Sequence, residues 1–172
     1  MTRLILCGLL LIGLGCKAVE PANTASAKWN GQDWQADRVR VYVNTACAKG
    51  LLSIELERTR KGTYLVESLD IYKVPLSVGS YPINVVQLND YCNDKSIHSS
   101  IYTVVDGDQS KDTLPTTGLS GDYVNITAYD PATGRIQGTF AGVYVVRKGD
   151  VARTLSDTVR VTNGTFSATV QR

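Results

Sequence analysis

The chain has 172 residues, with 18 Lys and Arg against 16 Asp and Glu and a formal net charge of +2. The basic residues are scattered rather than blocked, which argues against nucleic acid and against a basic membrane-binding patch. His98 is the sole histidine, so one chain cannot build a histidine-based metal cluster, and any Ser-His-Asp triad would have to use it.

The N-terminus carries Arg3 and then an apolar run, Leu4 to Leu14, that stops at Gly15-Cys16. The run is too short for a spanning helix, which needs ~20 residues. Residues 1–15 therefore read as an export signal that is removed, with Cys16 the first mature residue. Gly13-Leu14-Gly15-Cys16 resembles a bacterial lipoprotein signal, with Gly13 where that pattern prefers Leu. The resemblance implies lipidation of Cys16 by palmitate-like chains, and a cell-envelope location as an outer-membrane lipoprotein. Several acyl chains hold a protein stably where one is marginal. Residues 16–28 read as the lipidated cysteine and a small, polar tether containing Pro21. Lys17 with Glu20 partly resembles surface-export signals of Bacteroidota lipoproteins, which leaves periplasmic and surface-facing orientations both open.

Residues 29–172 read as one all-β domain. Val39, Val41 and Val43 alternate with Arg40 and Tyr42, the pattern of a half-buried strand. Leu52, Ile54 and Leu56 alternate with Ser53, Glu55 and Glu57, which places the two glutamates toward solvent. Arg60-Lys61-Gly62 is a turn into a strand over Thr63 to Leu69. Tyr123–Tyr129 and Arg135–Val146 flank Asp130-Pro131-Ala132-Thr133-Gly134, a turn by composition. Pairing Tyr129 with Arg135 sets Ala128 opposite Ile136, Ile126 opposite Gly138 and Val124 opposite Phe140. Gly138 and Gly142 suggest bulges or the close approach of another backbone. Asn163-Gly164 suits a two-residue hairpin turn that sets Val161 opposite Phe166, the alternative being a bulge within one long strand. No stretch sustains a helical period for three turns. About eight to ten short strands with polar turns imply an antiparallel β-sandwich or a lipocalin-like β-barrel with no substantial helix.

Three segments carry a family resemblance. Trp29-Asn30-Gly31-Gln32-Asp33-Trp34-Gln35-Ala36, Arg135-Ile136-Gln137-Gly138-Thr139-Phe140 and Val161-Thr162-Asn163-Gly164-Thr165-Phe166 resemble the opening and closing motifs of uncharacterised small Bacteroidota lipoproteins. The resemblance implies an all-β lipoprotein domain and brings no catalytic residues with it.

Cys7 falls in the signal, which leaves Cys47 and Cys92 in an exported domain, where an oxidising compartment favours a disulfide between them. The alternative is two separately buried thiols. Asp106, Asp108, Ser110 and Asp112 alternate like the start of a calcium loop, but Lys111 stands where such a loop turns on Gly and Thr117 where it ends on Glu, so a solvated turn is the plainer reading. Asp112-Thr113-Leu114 and Asp157-Thr158-Val159 resemble O-glycosylation sites of Bacteroidota exported proteins, with Thr113 in a loop and Thr158 as the second candidate. Nine tyrosines and two tryptophans could stack on sugar rings. Of these, Tyr42, Tyr123 and Tyr129 lie opposite the apolar stripes, while Trp34 reads as a plug at one end of the core. With no nucleophile elbow and no cofactor motif, the expectation is a lipid-anchored, non-enzymatic binding or scaffolding module for a glycan or protein partner. The alternative is a glycan-directed envelope hydrolase whose carboxylates meet only in three dimensions.

Overall fold

The computed structural model describes residues 22–45, 50–60, 64–85, 95–105, 109–147 and 154–171, with the backbone alone at 105, 109 and 110. Among them are eleven strands and no helix: β1 (Thr24–Trp29), β2 (Gln32–Gln35), β3 (Arg38–Val43), β4 (Leu52–Arg60), β5 (Tyr64–Val74), β6 (Gly79–Pro82), β7 (His98–Val105), β8 (Gln109–Pro115), β9 (Tyr123–Asp130), β10 (Arg135–Val145) and β11 (Thr158–Gln171). They are hydrogen-bonded in the order β6-β9-β10-β11-β3-β4-β5-β7-β8, with β1 pairing both β11 and β2. The sheet is not closed into a barrel and is consistent with a sandwich. It is mixed rather than purely antiparallel, because the end of β11 runs parallel to β3 through Val170↔Val41 and Gln171↔Tyr42.

β11 joins the two halves of the strand order. Its fourteen residues pair first with β10 and β1 and then reach across to β3. The hairpin expected at Asn163-Gly164 is therefore a bulge. Against β10, Ala141 alone faces Thr162 and Asn163, and the same extra residue appears against β1 between Ser26 and Lys28. Asn163 is left-handed at φ 54°, which asparagine tolerates. A type I′ turn needs positive φ at both central residues, and Gly164 does not have it. Gly164 is required for a different reason: a Cβ there would lie 2.5 Å from the Phe140 carbonyl oxygen and 2.6 Å from its ring. The same dipeptide does form a hairpin at Asn30-Gly31, where φ is 49° and 84° and Trp29 pairs with Gln32.

Two further expectations shift by one residue or a few. Thr24–Lys28, read as tether, belongs to β1, where Ala25 and Ala27 are buried; the small polar composition hid a period of two. In the β9–β10 hairpin, Ile126↔Gly138 and Val124↔Phe140 pair as expected, but Arg135 faces Asp130. A bulge at Thr127 absorbs the difference. It turns Ala128 out to solvent and brings Tyr129 opposite Ile136, packed against the core.

Alternation builds the core. Leu52, Ile54 and Leu56 of β4 and Leu69 and Ile71 of β5 are fully buried, as are Ile126, Ile136 and Phe140 of the other half. Trp29 and Trp34 stack with ring centroids 4.7 Å apart and planes 8° from parallel. The Trp34 indole N–H donates to Glu67 Oε1 at 2.7 Å, and Arg58 holds the same oxygen at 2.8 Å.

Candidate functional site on the outer face of β3, β4, β5 and β7

Period-2 geometry that sends leucines and isoleucines inward sends their neighbours outward. Register then aligns these neighbours into three rows across four strands. Arg38, Glu57, Ser68 and Tyr102 form one row; Arg40, Glu55, Asp70 and Ser100 the next; Tyr42, Ser53, Tyr72 and His98 the third. Three carboxylates, two guanidiniums and three phenols thus share one face. A left-handed bulge at Lys73, φ 65°, follows the third row and returns Val74 to the core side, opposite Leu52.

Every carboxylate oxygen on this face receives a hydrogen bond or ion pair. Arg38 Nη1 donates to Glu57 Oε2 at 3.2 Å. Arg40 Nη2 bridges Glu57 Oε1 and Glu55 Oε2, 2.8 Å from the latter. The Tyr42 hydroxyl donates to Glu55 Oε1 at 2.6 Å. Ser68 Oγ donates to Asp70 Oδ1, and the Tyr72 hydroxyl to Asp70 Oδ2 at 2.7 Å. From the core side, Ser99 Oγ donates to the Asp70 carbonyl at 2.7 Å and lies 2.9 Å from the Tyr144 hydroxyl.

Glu57 and Asp70 are only 3 % and 2 % exposed, so the expectation of solvent-facing carboxylates is wrong for Glu57. Alternation places it away from the apolar core, and Arg38 and Arg40 then pair with it from β3. Burial pushes the Asp70 carboxyl up to about 6, against the opposing pull of Ser68 and Tyr72, and Glu55 and Glu57 add to the rise. Burial, with help from Glu55, raises the Tyr42 phenol to about 12. Tyr72 and Tyr102 are raised as well, by burial first and by the Asp70 charge next. The face is accessible at its rim, where the Arg38 and Arg40 side chains are 44 % and 41 % exposed.

The candidates read from sequence fall elsewhere. Cys16, Cys47, Cys92, Asp106 and Asp108 lie outside the described residues. Asp112 does not sit in a loop: β8 covers Gln109–Pro115, and the Asp112 carboxylate is buried. Its Oδ2 accepts from Thr103 Oγ1 at 3.1 Å and from the Thr154 backbone N–H at 2.9 Å. It thereby fastens the start of residues 154–157 to the sheet. No group of residues able to hold a metal occurs among the described residues. Thr113 is exposed on β8 rather than in a loop, and Thr158 is exposed at the start of β11. His98 is buried and stacked on Tyr72, 5.1 Å between ring centroids. Tyr42 is on the outer face as expected, whereas Tyr129 is not. Trp34 is buried in the core.

Asp70 was missed because the strand read as Thr63–Leu69 actually runs on to Val74. The signal was present in the alternation of Ser68, Asp70 and Tyr72 with Leu69 and Ile71. Comparison with family models, with curated proteins and with solved structures finds no match.

Proposed function

We propose that this chain is a lipid-anchored, non-enzymatic binding module of the cell envelope, held to its membrane through Cys16 and working through the outer face of β3, β4, β5 and β7. One observation carries the choice of binding over catalysis: all six oxygens of Glu55, Glu57 and Asp70 already have donors within the protein. Glycoside hydrolysis requires one carboxyl free to donate a proton and another free to attack or to activate water. Carboxylates clamped side by side by arginine and tyrosine instead make a rigid polar surface, the kind that lowers the ordering penalty of binding.

The rival reading, an envelope hydrolase, draws on the raised Asp70 carboxyl beside Glu55. The full chain, produced in a lipidating bacterial host, is incubated with soluble polysaccharides and the release of reducing ends is followed. The expected result is no release. Release that disappears in both Glu55→Gln and Asp70→Asn would assign the face to catalysis and overturn the binding reading. In the same host, Cys16→Ser is expected to lose metabolic labelling by an alkyne fatty acid and to leave the membrane fraction. Labelling that persists in Cys16→Ser would refute the anchor.

A further inference from the structure

We infer that the ligand of this face is a neutral oligosaccharide, seated over the Tyr42 and Tyr102 rings with its hydroxyls bonded to Arg40 and Glu55. The inference rests on the binding-module reading and names its ligand class.

Charge sets the first restriction. The two guanidiniums of Arg38 and Arg40 are matched by Glu55 and Glu57 in direct ion pairs, and the third carboxylate, Asp70, is 2 % exposed and bonded to Ser68 and Tyr72. A polyanion would meet the carboxylates and a polycation the guanidiniums, each interleaved at strand spacing. A neutral ligand faces neither repulsion. The hydrogen-bonding pattern is the second restriction. Arg40 donates and Glu55 accepts within 2.8 Å of each other. Arginine carries five N–H donors, and each carboxylate oxygen has a lone pair beyond the one in use. A sugar hydroxyl donates and accepts at once, so neighbouring hydroxyls on one ring can satisfy both groups together.

The third restriction is shape. Tyr42, Tyr72 and Tyr102 are half-buried along the same face, each offering an apolar ring surface with a polar tip. Sugar rings present C–H faces that pack against such surfaces while their hydroxyls point outward. One more observation belongs to the same face. Ser53 is 1 % exposed and stands between Tyr42 and Tyr72 in its row, where its hydroxyl hydrogen-bonds to the Tyr42 phenol and lowers its pKa. Arg40 Nε is buried without a hydrogen-bond partner. A buried polar atom without a partner is uncommon in folded proteins, and this one belongs to the arginine that flanks the proposed seat.

The test is native affinity electrophoresis of the full chain in detergent, through gels holding a neutral β-glucan, arabinoxylan or galactomannan, with polygalacturonate and heparin as acidic comparisons. At least one neutral polysaccharide is expected to retard the protein. Tyr42→Ala and Arg40→Ala are expected to weaken that retardation at least tenfold, and Tyr42→Phe, which keeps the ring, to retain most of it. Arg160→Ala, on β11, is the surface control and should bind as the parent does. Matching thermal melts of Tyr42→Phe and parent keep the comparison interpretable if Tyr42→Ala folds poorly. Retardation by acidic polymers alone, or retardation indifferent to Tyr42 and Arg40, overturns the inference. If no neutral polysaccharide retards the protein, the ligand class is wrong, and site-specific crosslinking from this face that captures an envelope protein leaves the binding module standing. Reducing-end release abolished in Glu55→Gln and Asp70→Asn removes both.

Discussion

Replacing Asp70 with Asn removes a charge that the fold buries at a disadvantage. The carboxyl sits on the β5 outer face among Glu55 and Glu57 from β4, Arg40 from β3, Tyr102 from β7, and Ser68 and Tyr72 on its own strand. Its pKa rises from 3.8 to about 6 on folding, so between roughly pH 4 and pH 6 the folded state holds this proton more tightly than the unfolded chain does. Stability therefore falls as pH rises through that window. About two units at ~1.4 kcal/mol each make the loss about 3 kcal/mol, complete above the folded pKa and absent below the unfolded one. Asparagine cannot ionise, so Asp70→Asn escapes this loss. It offers one acceptor where Ser68 and Tyr72 now have two, a cost of about 1 kcal/mol. Urea unfolding followed by tryptophan fluorescence, from pH 4 to pH 8, measures the difference between the two proteins. The variant is expected to be slightly less stable than the parent near pH 4 and more stable by about 2 kcal/mol near pH 7. Parallel stability curves across the whole range would show that the Asp70 carboxyl is not held in a disfavoured charged state, and would refute the reasoning.

Substitutions at three further positions probe the frame around this face. Glu67→Ala strands the buried Trp34 indole N–H, now bonded at 2.7 Å, and is expected to lose about 1–3 kcal/mol; Glu67→Gln keeps an acceptor and should lose less, and equal losses in urea midpoints would count against the indole bond as the cause. Gly164→Ala forces a methyl to within 2.5 Å of the Phe140 carbonyl oxygen and is expected to cost about 1–3 kcal/mol by overpacking, whereas Asn163→Gly, compatible with φ 54°, should be near neutral in thermal melts.

The parts of the site that could be read from sequence are those that depend on parity within one strand. Arg40 and Tyr42 alternate with Val39, Val41 and Val43, and Glu55 and Glu57 with Ile54 and Leu56, so the face of each was readable. What parity cannot supply is the neighbour. Arg40 meets Glu55, and Glu55 meets Asp70, only because β3, β4 and β5 lie side by side in a particular register. Burial followed from the same pairing. A lone strand places Glu57 on its polar side, and the arginines of the neighbouring β3 pair with it there.

The all-β class, the apolar stripes of β3 and β4 and the turn Asp130–Gly134 were settled by the sequence alone, because backbone preference and side-chain alternation act over a few residues. The two Asn-Gly pairs show where that reach ends. Both favour a left-handed asparagine, and both have one. At Asn30-Gly31 the glycine is left-handed too, and the chain reverses into β2. At Asn163-Gly164 the strand continues, hydrogen-bonded on one side to β1 and on the other to β10, with Phe140 closing over the glycine. Two flanking strands supply ladder hydrogen bonds to both edges of β11, which a tight hairpin at that point would give up. That choice, and with it the reach of β11 to β3 and the framing of the outer face, belongs to contacts between residues far apart in the chain.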